Sequence, residues 1–223
     1  MARDDMERIP MAYLPDLDRL LTGGSRYLDG PVAYVIEPHR VGDVVLPTGR
    51  VVGCDPLTVA GETSAFTAEV APGTYPLVAW VAVLLENGVE SQRRVAALQL
   101  VVRPGPVRWE PALRPGWETS ELGDDEYFGY GVDAGLGTLA DEAAVRALVD
   151  WDYDRIDDMF IPSRWPEAPV PGAVGGVVDG TTGANVLAVG SGWGDGSYPT
   201  FVGRTASGRV GSFVTDFMVV PRD

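Results

Sequence analysis

A chain of 223 residues with 45% hydrophobic and only 22% charged side chains carries enough apolar material for a substantial core, while a formal net charge of −15 sets its surface against phosphate backbones and anionic lipid. All 17 basic residues are arginine, which excludes Schiff-base, pyridoxal-phosphate and phosphate-loop chemistry that depends on a lysine amine. The single Cys54 excludes an internal disulfide and a paired-cysteine redox or zinc motif, and the single His39 excludes any two-histidine metal centre.

The acids Asp4, Asp5 and Glu7 stand where a signal peptide would carry positive charge, and no apolar run is long enough to span a bilayer. The chain therefore reads as a soluble cytoplasmic protein, and the absence of lysine suggests a GC-rich bacterial source. Its acidity favours a basic protein or a small-molecule ligand, cationic in character, over nucleic acid or membrane.

In chain order, Met1 to Pro15 is interrupted by Pro10 and Pro15 and reads as an irregular arm. Asp16 to Leu21 places Leu17, Leu20 and Leu21 on one side of a short helix that Gly23 and Gly24 end. From Pro31 the pattern turns to β, with strands at Val32–Ile36, Val44–Leu46 and Val51–Val52, and with Pro47-Thr48-Gly49 as a hairpin turn. Pro72-Gly73 predicts a type II turn between Ala65–Val70 and Tyr75–Leu85. Asn87-Gly88 predicts a type I′ hairpin, because both residues tolerate positive φ, with Arg93–Val102 as the return strand.

Arg103 to Tyr127 reads as a long connection. Thr138-Leu139-Ala140-Asp141 has the form of a capping box opening a helix that runs to Asp150, with Leu139, Ala144, Val145, Leu148 and Val149 as its apolar stripe. Asp150 to Ala173 is acidic, aromatic and proline-rich and reads as a surface loop or lid. Strands follow at Asn185–Val189, around Phe201-Val202, and over Val210–Val220, with Ser207-Gly208 as a turn. The predicted architecture is mainly β (α+β): an arm and short helix over residues 1–30, then one β-rich domain over 31–223. Its antiparallel sheets form a sandwich or a strongly bent sheet with one main helix near 139–150.

The richest local chemistry lies in the glycine-rich stretch from Gly190 to Pro199. Alternating glycines let backbone amides approach a ligand, Trp193 offers a flat apolar wall, and Asp195 supplies charge. Tyr198 belongs to the same stretch. An equally good account has Trp193 filling core space while the glycines permit a bend. Asp133 follows Tyr130-Gly131-Val132 and either caps a tight turn or joins this site. Asp216 lies in a run apolar on both faces, so it reads as a buried carboxylate that needs a partner, with Arg50 as a candidate. If Asp133, Asp195 and Asp216 converge, they form an oxygen-ligand set suited to Ca²⁺ or Mg²⁺. No nucleophile elbow, dinucleotide fingerprint or calcium-hand loop is present, and Cys54 reads as a buried inert thiol.

Several segments together resemble a widespread bacterial family of unknown function. They are Thr48-Gly49-Arg50-Val51-Val52-Gly53-Cys54-Asp55-Pro56, Pro72-Gly73-Thr74-Tyr75-Pro76, Tyr130-Gly131-Val132-Asp133-Ala134-Gly135, Ser191-Gly192-Trp193-Gly194-Asp195-Gly196-Ser197-Tyr198-Pro199 and Val214-Thr215-Asp216-Phe217. The resemblance runs from about Val44 to Val220. It implies kinship without an activity, and it implies that Arg50, Asp55, Asp133, Trp193, Asp195 and Asp216 belong to a shared pattern. The functional expectation is an acidic binding or accessory protein for a basic protein or small cationic ligand. The alternative is a carboxylate-based enzyme, with or without a divalent cation, acting on a small molecule.

Overall fold

The computed structural model describes residues 12–59, 64–163, 165 and 169–222. The expected arm over Met1–Pro15 therefore lies outside the described residues as far as Met11. A short helix α1 (Leu17–Leu20) is capped by Asp16, whose carboxylate accepts from the Arg19 amide at 3.0 Å. Strands β1 (Arg26–Asp29), β2 (Val32–Leu46), β3 (Val51–Cys54), β4 (Gly73–Glu86), β5 (Val89–Val101), β6 (Arg108–Pro111), β7 (Gly129–Val132) and β8 (Leu136–Asp141) follow. Helices α2 (Glu142–Val149) and α3 (Tyr153–Phe160) precede β9 (Val174–Val177), β10 (Asn185–Gly190), β11 (Gly196–Arg204) and β12 (Val210–Asp216).

The strands form two antiparallel sheets in one domain, without barrel closure. The large sheet runs β1-β2-β4-β5-β12-β11-β6, and β7 pairs with the first half of β11; the small sheet runs β3-β8-β10-β9. The small sheet packs across β2 and β5, and Val51, Leu139 and Val189 enter the same core as Ile36, Leu98, Leu100 and Phe213. Asn185 stitches the layers together: its Oδ1 accepts from the Val45 amide and its Nδ2 donates to the Asp43 carbonyl, both at 2.8 Å. The outer face of the small sheet carries α2 and α3, so that Ala144, Val145, Leu148 and Phe160 close a second apolar cluster over Val52, Ala140, Val186 and Ala188.

The Asn87-Gly88 hairpin stands as expected: φ is 52° and 81°, and Glu86 faces Val89 across the turn. Strand β12 is buried along its whole length between β5 and β11, as a run apolar on both faces requires. Elsewhere local turn chemistry misled about partners. Val32–Ile36 and Val44–Leu46 are one strand that runs through Pro38; β1 pairs only as far as Val35, so this part of β2 is an edge where the missing N–H costs no ladder bond. Pro47-Thr48-Gly49 is not a hairpin turn but the passage from the large sheet to the small one. Gly73 has no positive φ and simply opens β4, so Pro72-Gly73 is not a type II turn, and Ala65–Val70 contributes only an isolated bridge between Arg50 and Glu69.

The helix begins later than its capping-box pattern suggests. Thr138 to Asp141 is buried strand, Thr138 donates its hydroxyl to the Leu187 carbonyl at 2.7 Å, and Asp141 is the true cap, accepting from the Ala143 amide at 2.9 Å. The same carboxylate accepts from the amides of Thr48 and Gly49, each at 3.1 Å, and so fixes the crossover between sheets. Within the expected Asp150–Ala173 loop, α3 forms because Ile156, Met159 and Phe160 share one side of a helix that Asp152 caps. Among the described residues no helix is long and apolar enough to cross a membrane.

Candidate functional site

The glycine-rich stretch is a strand–loop–strand crossover. Gly190 ends β10 in the small sheet, Gly196 opens β11 in the large sheet, and only Ser191 to Asp195 lies between. Gly192 has φ of 54°, and a Cβ there would stand 2.7 Å from the Phe217 carbonyl oxygen, so backbone conformation and close packing both require glycine. The Tyr198 hydroxyl lies 2.7 Å from the Gly194 carbonyl and 3.1 Å from that of Ser191, and its ring meets Phe217 edge-on. Tyr198 is thus spent on holding the loop. Trp193 is 51% exposed, and the Arg94 guanidinium lies over its ring, 4.9 Å from the centroid.

Ser191 donates its amide to the Gly135 carbonyl at 2.9 Å, and Val132 pairs with Gly196, so Asp133 and Asp195 come to one end of the β7–β11 ribbon, both exposed. Asp55 explains the turn at Asp133. Its carboxylate is only 2% exposed and accepts from the amides of Ala134 at 2.7 Å, Asp133 at 3.2 Å and Leu57 at 3.0 Å. Burial pushes this carboxyl above the usual carboxylate range, and the three amides pull against that. Arg50 lies 3.4 Å from Glu142 and 4.0 Å from Glu69, tying the start of β3 to the start of α2. Cys54 is buried, and burial pushes its thiol up to about 12.

Asp216 is buried and paired as expected, at 2% exposure, but Arg50 is not its partner. Arg50 stands just before β3 of the small sheet, whereas Asp216 ends β12, an interior strand of the large one. The Tyr13 hydroxyl donates to Asp216 Oδ2 at 2.6 Å, and the Met218 amide donates to Oδ1 at 2.8 Å. Burial raises the Asp216 carboxyl, opposed by these two donors and by the positive charge of Arg222. Burial, together with the negative charge and hydrogen bond of Asp216, likewise holds the Tyr13 phenol above its ordinary range, so Tyr13 remains a donor.

Around this pair opens a cavity of about 440 Å³, bounded by the segment before and within α1 and by the segment after β12. Tyr13, Tyr27 and Leu20 give it apolar and aromatic walls, Asp216 lies in its lining, and Asp125 and Arg222 stand at its exposed rim. A second cavity, of about 350 Å³, lies near β6 and β11, where its charges satisfy each other: Arg204 donates to Glu110 at 2.7 Å. Among the described residues no group of three or more carboxylates, histidines or cysteines is placed to hold a metal ion. Asp133 and Asp195 share one end of the β7–β11 ribbon, and among the described residues they form no such group with Asp216.

The sequence pointed to Asp216 and missed Tyr13, Asp125 and Arg222. Tyr13 and Asp216 are 203 positions apart, and only the buried acid's need for a donor hinted at such a partner.

Fold and site together define a two-sheet, mostly β protein with an acid-floored cavity where its first and last described segments meet. The chain belongs to the family described as "Protein of unknown function (DUF4241)", whose model matches residues 44–215. No curated protein and no solved structure matches it.

Proposed function

We propose that this is a binding protein whose ligand is a small organic cation with an apolar body, seated in the cavity beside Asp216. One observation carries the reading: a buried carboxylate in the lining of a roughly 440 Å³ cavity with aromatic walls and further acid at its rim. A pocket of this size suits a small ligand, apolar walls provide affinity, and a few placed polar groups orient the bound molecule. The net charge of −15 draws cations in and disfavours nucleic acid. A basic protein as partner has only that general charge in its favour. We further take the protein to be bacterial and cytoplasmic, in keeping with its lone, buried cysteine. The alternative of a carboxylate-based enzyme has less support, since the usual nucleophile and base machinery is thin: the chain has no lysine, one histidine and one cysteine, the last of them buried.

The test is thermal denaturation with arylalkyl ammonium and guanidinium ions, with phenylethanol as the neutral control. A cation at one hundred times its Kd adds about 2.7 kcal/mol of stability. The cations are expected to raise Tm, phenylethanol to leave it unchanged, and folded Asp216→Asn to lose the response. No response to any cation, or an equal response to phenylethanol, overturns the reading.

A further inference from the structure

Each tyrosine of the cavity already carries a guanidinium on its ring. Arg222 lies 4.3 Å from the centroid of Tyr13, and Arg19 lies 4.1 Å from that of Tyr27. Arg222 also reaches to 3.8 Å from Asp125, and its positive charge opposes the rise that burial imposes on the Asp216 carboxyl. An arginine of this chain therefore stands where the cation of the binding reading would compete for the same ring and the same acids.

Resting on that reading, we infer that the cavity selects guanidinium over ammonium head groups and that Arg222 is its resident competitor, which a ligand displaces on entry. A guanidinium is planar and weakly hydrated. It can lie on a tyrosine face while its edge N–H groups donate to a carboxylate, an arrangement that a compact, strongly hydrated ammonium reaches only with a greater loss of hydration. Displacement is cheap because Arg222 is held loosely: its side chain is 57% exposed, and an ion pair of 3.8 Å in solvent is worth little. Exposure also makes it replaceable without opening the core.

The experiment titrates the full chain and its Arg222→Ala variant by calorimetry with two probes that share an apolar body, phenylethylguanidinium and phenylethylammonium. The guanidinium probe is expected to bind the wild type about tenfold more tightly than the ammonium probe, from its better fit to ring and carboxylate. Arg222→Ala is expected to tighten the guanidinium probe by about tenfold, the scale of the penalty that a resident competitor imposes on the apparent affinity of its site. Equal affinities for the two probes, or an Arg222→Ala affinity for the guanidinium probe that is unchanged or weaker, overturn the inference while the broader binding reading stands. Failure of both probes to bind either protein removes the broader reading, and this inference with it.

Discussion

Tyr13→Phe deletes one oxygen from the cavity and leaves the packing nearly intact, because the ring contacts to Tyr127 and Phe201, at centroid distances of 5.6 and 6.2 Å, do not need the hydroxyl. What is lost is a 2.6 Å donor to a carboxylate that is 2% exposed and retains, among the described residues, the Met218 amide. Hydrogen bonds to charged groups contribute about 1.5–3 kcal/mol, so the expected cost near neutral pH is about 2 kcal/mol. For a domain of this length that is a fall in Tm of about 4–8 °C. The sign with pH follows from Asp216. Its folded pKa is raised, so its contribution to stability is fully present below the unfolded value of about 3.9 and is lost as pH rises through the folded value. Removing the Tyr13 donor raises the folded value further, so the cost of Tyr13→Phe is smallest near pH 4 and grows as pH rises. Urea denaturation of both proteins from pH 4 to 9 measures it, and in an Asp216→Asn background the cost should shrink and lose its pH dependence. A cost that is constant with pH, or that persists in that background, refutes the pairing as the origin of the effect.

Gly192→Ala should cost about 2 kcal/mol or more in urea denaturation, since φ of 54° and a Cβ 2.7 Å from the Phe217 carbonyl oxygen act together; a change within a few tenths would mean the crossover can relax. Cys54, with its thiol buried and pushed up to about 12, should resist iodoacetamide at pH 8 in the native protein and react once urea unfolds it, as mass spectrometry of timed samples would record; rapid native alkylation would contradict its burial.

The elements that the sequence made legible are those whose signal is local and sufficient. Asn87-Gly88 can hardly form anything but a tight turn between its apolar flanks, and the unbroken apolar run of β12 matches a strand that is interior to its sheet, between β5 and β11, and buried at every position. The misreadings share a cause: a turn signal or a cap specifies a bend without saying which sheet receives the chain. Pro47-Thr48-Gly49 bends as expected and then leads into β3, which pairs with β8 rather than with β2, and Thr138 resembles a helix cap because the true cap, Asp141, lies three residues on. The acids divided in the same way. Burial of Asp216 followed from its neighbours, whereas its partner depended on a contact across nearly the whole chain. Asp55 looked like one motif residue among several, and its task of holding the Asp133 turn appears only when three amides converge on it.

The family match and the cavity scarcely overlap. The family model covers residues 44–215, whereas Tyr13, Leu20, Tyr27, Asp216 and Arg222 all lie outside it, and Asp125 alone among the groups used here lies within it. The matched span supplies most of the two sheets and the Trp193 crossover; the cavity is made where the segment before β1 folds back over the end of β12. On the binding reading, the sheets serve as scaffold and the short flanking segments carry specificity, as connecting segments on a rigid framework commonly do. The family match therefore spans most of the two sheets and the loop at Trp193 but neither member of the Tyr13–Asp216 pair. Substitutions within this chain separate the two: Trp193→Ala and Asp195→Asn, at the crossover, should leave calorimetric binding of the guanidinium probe unchanged, whereas folded Asp216→Asn should abolish it, and loss of binding on the crossover changes alone would move the site into the matched span.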